Sequence, residues 1–174
     1  DPGRYDEHDH ARSASPVQRA SSEVSNMSIQ QLILVRGLPG SGKSTAAQKI
    51  AMFDQNNRVV IEGDHYFETA VPGTTMKRYH FDGEWLADAH RRCRRLTEAC
   101  LTDGLTAIVS NTFTTLKEMK PYMHMAEDMD IPIMVIKCEG TYGSVHNVPA
   151  HVMDRMEARW EPYDGEVTTE ECQV

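Results

Sequence analysis

The sequence predicts a three-layer α/β/α fold built on a parallel sheet of about four to five strands. Two observations carry that prediction. Short apolar runs alternate with segments of helical periodicity, which demands crossover connections and hence parallel strands. The first run also leads directly into Gly37-Leu38-Pro39-Gly40-Ser41-Gly42-Lys43-Ser44, which matches the phosphate-binding pattern G-x-x-x-x-G-K-[ST] at every fixed position. Strand, glycine-rich loop and helix in that order are the P-loop NTPase arrangement.

Taken in order, residues 31–36 (QLILVR) form an apolar run suited to a buried parallel strand. Residues 43–51 (KSTAAQKIA) are good helix formers with Ala46, Ile50 and Ala51 on one face. After a polar turn at residues 54–57, residues 58–62 (RVVIE) read as a second strand. Residues 64–83 have no clear period and read as irregular. A helix is expected from about Glu84 to Thr102, closed by Gly104, with Cys93 and Leu96 facing inward. Residues 105–110 (LTAIVS) form a third strand, and Thr115 to Glu118 resembles a capping box that opens another helix. Pro121 is expected to break or kink that helix early. Residues 133–137 (IMVIK) form a fourth strand. A last helix is expected from near Pro149 to near Trp160, with Asn147 as its cap.

Composition sets the boundaries. Residues 1–26 are polar, lack hydrophobic periodicity and read as a disordered leader or a remnant outside the fold, with His8 and His10 as tail residues. The domain is expected over residues 27–160, followed by an acidic tail at 161–174. The formal charge of −8 is concentrated in the ends: residues 1–26 hold five acids and three bases, and residues 161–174 hold five acids and no base, which leaves −1 for the body. An acidic total of this kind does not exclude a nucleic-acid substrate if a local basic patch exists. No run of ~18 apolar residues and no signal-peptide core is present, so no membrane partner is expected and a cytoplasmic setting is the default. Cys93, Cys100, Cys138 and Cys172 form no C-x-x-C pair, so reduced thiols are expected rather than zinc or a disulfide framework. Met123, Met125, Met129 and Met134 read as core filler. The sequence leaves the oligomeric state open.

In an open parallel sheet, ligands sit at the carboxyl ends of the strands. That rule selects the phosphate loop, residues 62–66, residues 110–113 and residues 139–149. Backbone N–H groups of Gly37, Leu38, Pro39's neighbours, Gly40, Ser41, Gly42 and Thr45 are placed to meet phosphate oxygens, Lys43 to reach the β- and γ-phosphates, and Ser44 to ligate Mg²⁺. ATP and Mg²⁺ are therefore the expected cofactors. Asp64, just past the second strand, is positioned to accept a proton from an attacking hydroxyl or to orient Mg²⁺; a turn or cap role is the alternative. His65 reads as a neighbour lining the pocket. The third strand ends in Ser110, Asn111 and Thr112, where many phosphate-loop enzymes carry an acid that holds Mg²⁺ through water; its absence argues against a motor-type ATPase. Arg91, Arg92, Arg94 and Arg95 occupy four of five successive positions and make either a solvated helix face or a groove for a phosphate-bearing substrate. Arg155 and Arg159 lie four apart on the last helix, where one can stabilise transition-state charge or simply pair with Glu157 or Glu161.

Several blocks stand together in one order: residues 32–45, Gly63-Asp64-His65-Tyr66-Phe67, Tyr79-His80-Phe81-Asp82 with Ala89-His90, Ser110-Asn111-Thr112, and Val145-His146-Asn147-Val148-Pro149 with Arg155-Met156. Over residues 31 to about 160 the chain resembles the polynucleotide-kinase-like phosphate-loop family, which includes the kinase half of phage polynucleotide kinase-phosphatase. The resemblance implies ATP-dependent phosphorylation of a hydroxyl, often at a nucleic-acid end, and carries the family's general base onto Asp64. The family's lid falls at residues 139–149. Its usual arginine is replaced there by Gly143-Ser144-Val145-His146, so lid duty passes to Arg155 or His146. Related kinases act on other hydroxyls, including hydroxymethylated bases in phage DNA. The expected activity is phosphoryl transfer from ATP to a nucleic-acid hydroxyl, with His65, Arg91, Arg92, Arg95, Thr112 and His146 toward the acceptor. A small-molecule kinase of the same fold (nucleoside, antibiotic or sugar) and a non-catalytic ATP-binding module are the alternatives.

Overall fold

The computed structural model describes residues 29–143 and 148–174. The leader 1–26, Asn147 as a cap and His146 lie outside the described residues. Five strands form one parallel sheet: β1 (Leu32–Arg36), β2 (Arg58–Glu62), β5 (Thr106–Ser110), β6 (Ile133–Lys137) and β7 (Val167–Thr168), in the spatial order β2-β5-β1-β6-β7. A separate two-stranded antiparallel sheet is made by β3 (Glu68–Ala70) and β4 (Lys77–Tyr79). The helices are α1 (Lys43–Met52), α2 (Leu86–Thr102), α3 (Leu116–Asp128) and α4 (Ala150–Ala158).

The two faces of β1 explain the three layers. All five residues of β1 are buried, and successive side chains point to opposite sides of the sheet. Leu32 and Leu34, with Ala107 and Val109 of β5, pack against Cys93, Met119 and Tyr122 of α2 and α3. Ile33 and Val35, with Ile108 and Ile136, pack against Ala46, Ala47 and Ile50 of α1. The expected fold class therefore holds.

Several local expectations change. The stretch 64–83 contains a 3₁₀ turn (Asp64–Phe67) and the β3–β4 hairpin, whose three-residue strands are too short to show a sequence period. Pro121 does not break α3. It is exposed, so the carbonyl it leaves unbonded faces the solvent side of the helix, while Met119, Tyr122 and Ala126 hold the opposite face in the core. The capping box is present, with Glu118 Oε2 accepting from the Thr115 N–H at 3.1 Å. On α2 the buried set is Ala89, Cys93, Thr97, Cys100 and Leu101, and Leu96 is exposed. Met123, Met125 and Met129 pack on the core as expected, whereas Met134 is 40% exposed. All four cysteines are free thiols.

The largest correction concerns residues 161–174, which are no tail. Val167 and Thr168 pair with Ile136 and Lys137 as the fifth parallel strand, and Val167, Cys172 and Val174 pack on the α1-side core. Glu166 anchors the segment by neutralising Arg36, whose side chain is fully buried, at 2.9 Å. Arg36 also donates to Phe113 O at 3.0 and 2.7 Å and to Glu161 O at 2.8 Å, and its guanidinium lies 4.1 Å from the centroid of the Trp160 ring. One of the five acids, Glu166, therefore serves an internal cation rather than solvent. Removing one partner of a buried pair leaves an uncompensated charge. Glu166→Ala is expected to destabilise the fold by about 3 kcal/mol in urea unfolding. A change within experimental error would show that the carbonyls alone hold the guanidinium.

Candidate functional site

The phosphate loop joins β1 to α1 across the carboxyl edge of the sheet. Its shape depends on missing side chains. A Cβ on Gly37 would lie 2.3 Å from Ser41 Oγ and 2.7 Å from the Cys138 carbonyl oxygen, so the loop closes on β6 only with glycine there. Gly42, the residue before α1, has φ 92°, a left-handed conformation that glycine tolerates without strain. The Gly37 N–H donates to the Thr112 carbonyl at 3.2 Å, which ties the loop to the end of β5. Thr112 thus contributes through its backbone. Gly37→Ala is expected to weaken ATP binding by about tenfold or more in calorimetric titration, each factor of ten being about 1.4 kcal/mol. Gly83→Ala, whose added Cβ meets nothing within 4 Å, should bind as the parent does. Equal affinities for both variants would show that the loop tolerates a Cβ.

Lys43 opens α1 and folds back over the loop, where Nζ donates to the Leu38 carbonyl at 2.9 Å. Burial lowers its pKa from the ordinary lysine value, and the carboxylates of Asp64 and Glu62 act in the opposite direction. The structure therefore gathers Lys43, Asp64 and Glu62, from α1 and the end of β2, into one electrostatic neighbourhood. Ser44 and Thr45 are exposed in the first turn of α1, where a phosphate-bound cation can meet the Ser44 hydroxyl.

Asp64 starts the 3₁₀ turn and is exposed. The Tyr79 hydroxyl, from β4, donates to Asp64 Oδ1 at 3.3 Å. Burial, then the Asp64 charge, pushes the Tyr79 hydroxyl up to about 12, so it stays protonated and donating at neutral pH. His65 faces back toward β2, its Nε2 lying 3.0 Å from Glu62 Oε2. Asn111 accepts from the Gly63 N–H at 2.8 Å through Oδ1, which fixes the turn that presents Asp64. The position expected to lack an acid is thus used to hold the neighbouring strand end. No individual role was assigned to Glu62 or Tyr79, and this role of Asn111 went unpredicted. The available signal for Glu62 was its place as an acid at a strand's carboxyl end, two residues before Asp64.

The arginines divide. Arg91, Arg92 and Arg95 are exposed on α2, and Arg91 is paired with Asp88 one turn earlier. Arg94 is half-buried. Helix α2 packs against the 3₁₀ turn that carries Asp64. The Cys93 thiol, raised chiefly by burial, also feels Asn111, Arg92, Arg94 and Asp64, so the basic helix borders the Asp64 site. Arg155 is exposed and donates from Nε to the His151 carbonyl at 3.3 Å within α4. Arg159 donates from Nε to Thr114 Oγ1 at 2.8 Å, a tie between α4 and the end of β5 rather than an ion pair.

Two clefts flank the loop. One, of about 330 Å³, has Thr45, Lys49, Tyr142, Thr169 and Val174 in its walls. The other, of about 350 Å³ and mostly apolar, lies among Leu38, Cys138, Thr141, Glu157 and Trp160. Tyr142 is 82% exposed, and its N–H donates to the Gly40 carbonyl at 2.9 Å. Among the described residues no group of three or more His, Cys, Asp and Glu side chains converges as a metal cage, and no helix is long and apolar enough to cross a membrane.

This loop, sheet order and strand-end acid define a P-loop kinase-like fold, and comparison with known proteins places it. Residues 32–141 match the AAA_33 family model, described as an AAA domain, and the chain belongs to that family. Among curated proteins it is 36% identical over 97 residues to human NEDD4-binding protein 2, which covers 55% of this chain and 5% of that protein. It is 27% identical over 144 residues to an uncharacterised protein of Pasteurella multocida, covering 74% of this chain and 75% of the relative. The chain thus spans about one-twentieth of the human protein. Among solved structures, Chaetomium thermophilum Kti12 in complex with ADP-AlF3 superposes with a TM-score of 0.54 at 17% identity, over 75% of this chain and 80% of that one. Mycobacterium tuberculosis APS kinase CysC in complex with AMPPNP and APS gives a TM-score of 0.50 at 15% identity, over 83% and 94% of the two chains. At such identities these two establish the shared fold.

Proposed function

We propose that the protein is an ATP-dependent phosphotransferase acting on a hydroxyl. The observation that carries this reading is that Lys43, beyond the end of β1, feels the charge of the exposed Asp64, beyond the end of β2, across the single intervening strand β5. The loop amides and Lys43 receive the β- and γ-phosphates. The cleft beside Thr45, Lys49 and Tyr142 receives the nucleoside. Mg²⁺ fits the exposed Ser44 hydroxyl together with phosphate oxygens and water, and would supply charge neutralisation at the phosphates. Asp64, steadied by the Tyr79 hydroxyl, accepts the proton of the acceptor as its oxygen bonds to phosphorus and the bond to the bridging oxygen of ADP breaks.

The acceptor is proposed to be a nucleic acid, in keeping with the polynucleotide-kinase-like resemblance. Exposed Arg92 and Arg95 lie on the helix that borders Asp64, and Phe81 and Trp85, 58% and 52% exposed, offer stacking surfaces before it. A small acceptor is the second reading, favoured by the pairing of Arg91 with Asp88, which leaves less positive charge free for a polymer backbone. Incubation with γ-labelled ATP and 5′-hydroxyl DNA, 5′-hydroxyl RNA, hydroxymethyluracil DNA and nucleosides separates them by where the label goes. Label on a polynucleotide supports the first reading and label on a nucleoside the second. Tight ATP binding with no transfer to any acceptor would mark a nucleotide-binding module and overturn the kinase.

A further inference from the structure

Glu62 is the buried carboxylate that the proposed reaction leaves without a task. Its side chain is only 10% exposed, and Oε1 is buried without a hydrogen-bond partner. It is the one carboxylate oxygen in that condition among the described residues. Its second oxygen, Oε2, lies 3.0 Å from His65 Nε2. An anionic oxygen held out of water with nothing to accept from is costly, and such groups persist where a ligand completes them.

The surroundings say which ligand. Lys43 feels the Glu62 charge, so the carboxylate belongs to the phosphate side of the site, yet the Lys43 ammonium is bonded to the Leu38 carbonyl. The acceptor hydroxyl is already assigned to Asp64, the exposed carboxylate of the site. Register places Glu62 opposite Ser110 at the end of β5, and neither Ser110 nor Asn111 supplies an acid there. What remains is the cation that accompanies a triphosphate. Magnesium takes few protein carboxylates, keeps several of its waters and shares phosphate oxygens, so one buried carboxylate on the phosphate side of the site suits it.

We propose that Glu62 is part of the magnesium-holding set of the bound nucleotide, accepting from the ion's waters or meeting the ion itself at the end of β2. His65 is the positioning residue, fixing the carboxylate's orientation through Oε2, as outer partners of metal ligands do. The proposal rests on the ATP-binding reading and adds a residue to it.

The test measures ATP affinity by calorimetry twice, with excess Mg²⁺ and with EDTA, for the parent, Glu62→Gln and Glu62→Asp. The amide keeps the shape of the carboxylate and an oxygen for His65 but removes the charge. Glu62→Gln is expected to lose about 10- to 100-fold of the affinity measured with Mg²⁺ and none of that measured with EDTA, as expected for removal of an outer-shell partner. Glu62→Asp, which retains the charge, should recover part of the loss, and it carries the test if the amide variant fails to give a cooperative melt. Equal losses with and without Mg²⁺ would overturn the proposal, because Glu62 would then act on the loop and not on the metal. Unchanged affinity in both conditions would overturn it as well. Failure of the parent to bind ATP in either condition would remove the nucleotide reading itself, and this proposal with it.

Discussion

Lys43→Ala is expected to reduce phosphoryl transfer by about a thousand-fold or more, with the fold intact. The ammonium is half-buried and already aimed along the loop by its bond to the Leu38 carbonyl, so the charge needs little rearrangement to meet a phosphate. Desolvated cations of that kind act far more strongly on developing charge than exposed ones. Stability should move little, and in a known direction. Burial holds the Lys43 pKa below its unfolded value, so the folded state binds that proton less tightly. The charged lysine therefore opposes folding below its folded pKa, and that opposition fades as pH rises through the folded value toward the unfolded one. Alanine removes it at all pH values, so the variant should melt no lower than the parent at neutral pH. Transfer of label from γ-labelled ATP together with a thermal melt checks both halves. Retained transfer would remove the phosphate site.

Asp64→Asn is expected to lower the transfer rate by about 10²- to 10⁴-fold, the usual worth of a general base, while ATP affinity stays within a few-fold of the parent. The amide preserves the acceptor for the Tyr79 hydroxyl, which remains a donor at neutral pH, so the side chain keeps its place and loses only its basicity. Single-turnover transfer measured beside equilibrium ATP binding distinguishes this from a binding defect. Full transfer activity would assign proton acceptance elsewhere.

The parallel sheet and the phosphate loop were legible because each is written locally. Buried strands such as residues 32–36 read as unbroken apolar runs, and the loop's spacing is fixed by the backbone geometry it must adopt. The place of Asp64 just past the end of β2 was legible from the apolar run before it, and strand ends are where this fold class positions ligands. What escaped is written across the chain. Tyr79 reaches Asp64 from a hairpin with strands of three residues, too short for any period. Asn111 is informative only once β2 and β5 are known to be neighbours. Residues 161–174 looked like a solvated tail because five acids dominate their composition, and nothing local reveals that one of them neutralises an arginine in β1. Leu96 misled in the opposite sense: its spacing fits the helix period, but Thr97 occupies the buried position beside it, with its hydroxyl bonded to the Cys93 carbonyl at 2.8 Å.

The pairing of Arg36 with Glu166 also orders events in time. The two residues are 130 positions apart, and β1, which carries Arg36, is the first strand of the sheet. During vectorial synthesis the arginine emerges long before its counter-ion, at elongation speeds of about 5–20 residues per second. Until then, burying the guanidinium in the sheet's middle strand would strand a charge in the core. Closure around β1 is therefore expected to be complete only once residues 161–174 dock and bring Glu166 to Arg36. A ribosome-stalled chain released before Glu166 should accordingly be open to protease at β1, and the full chain closed.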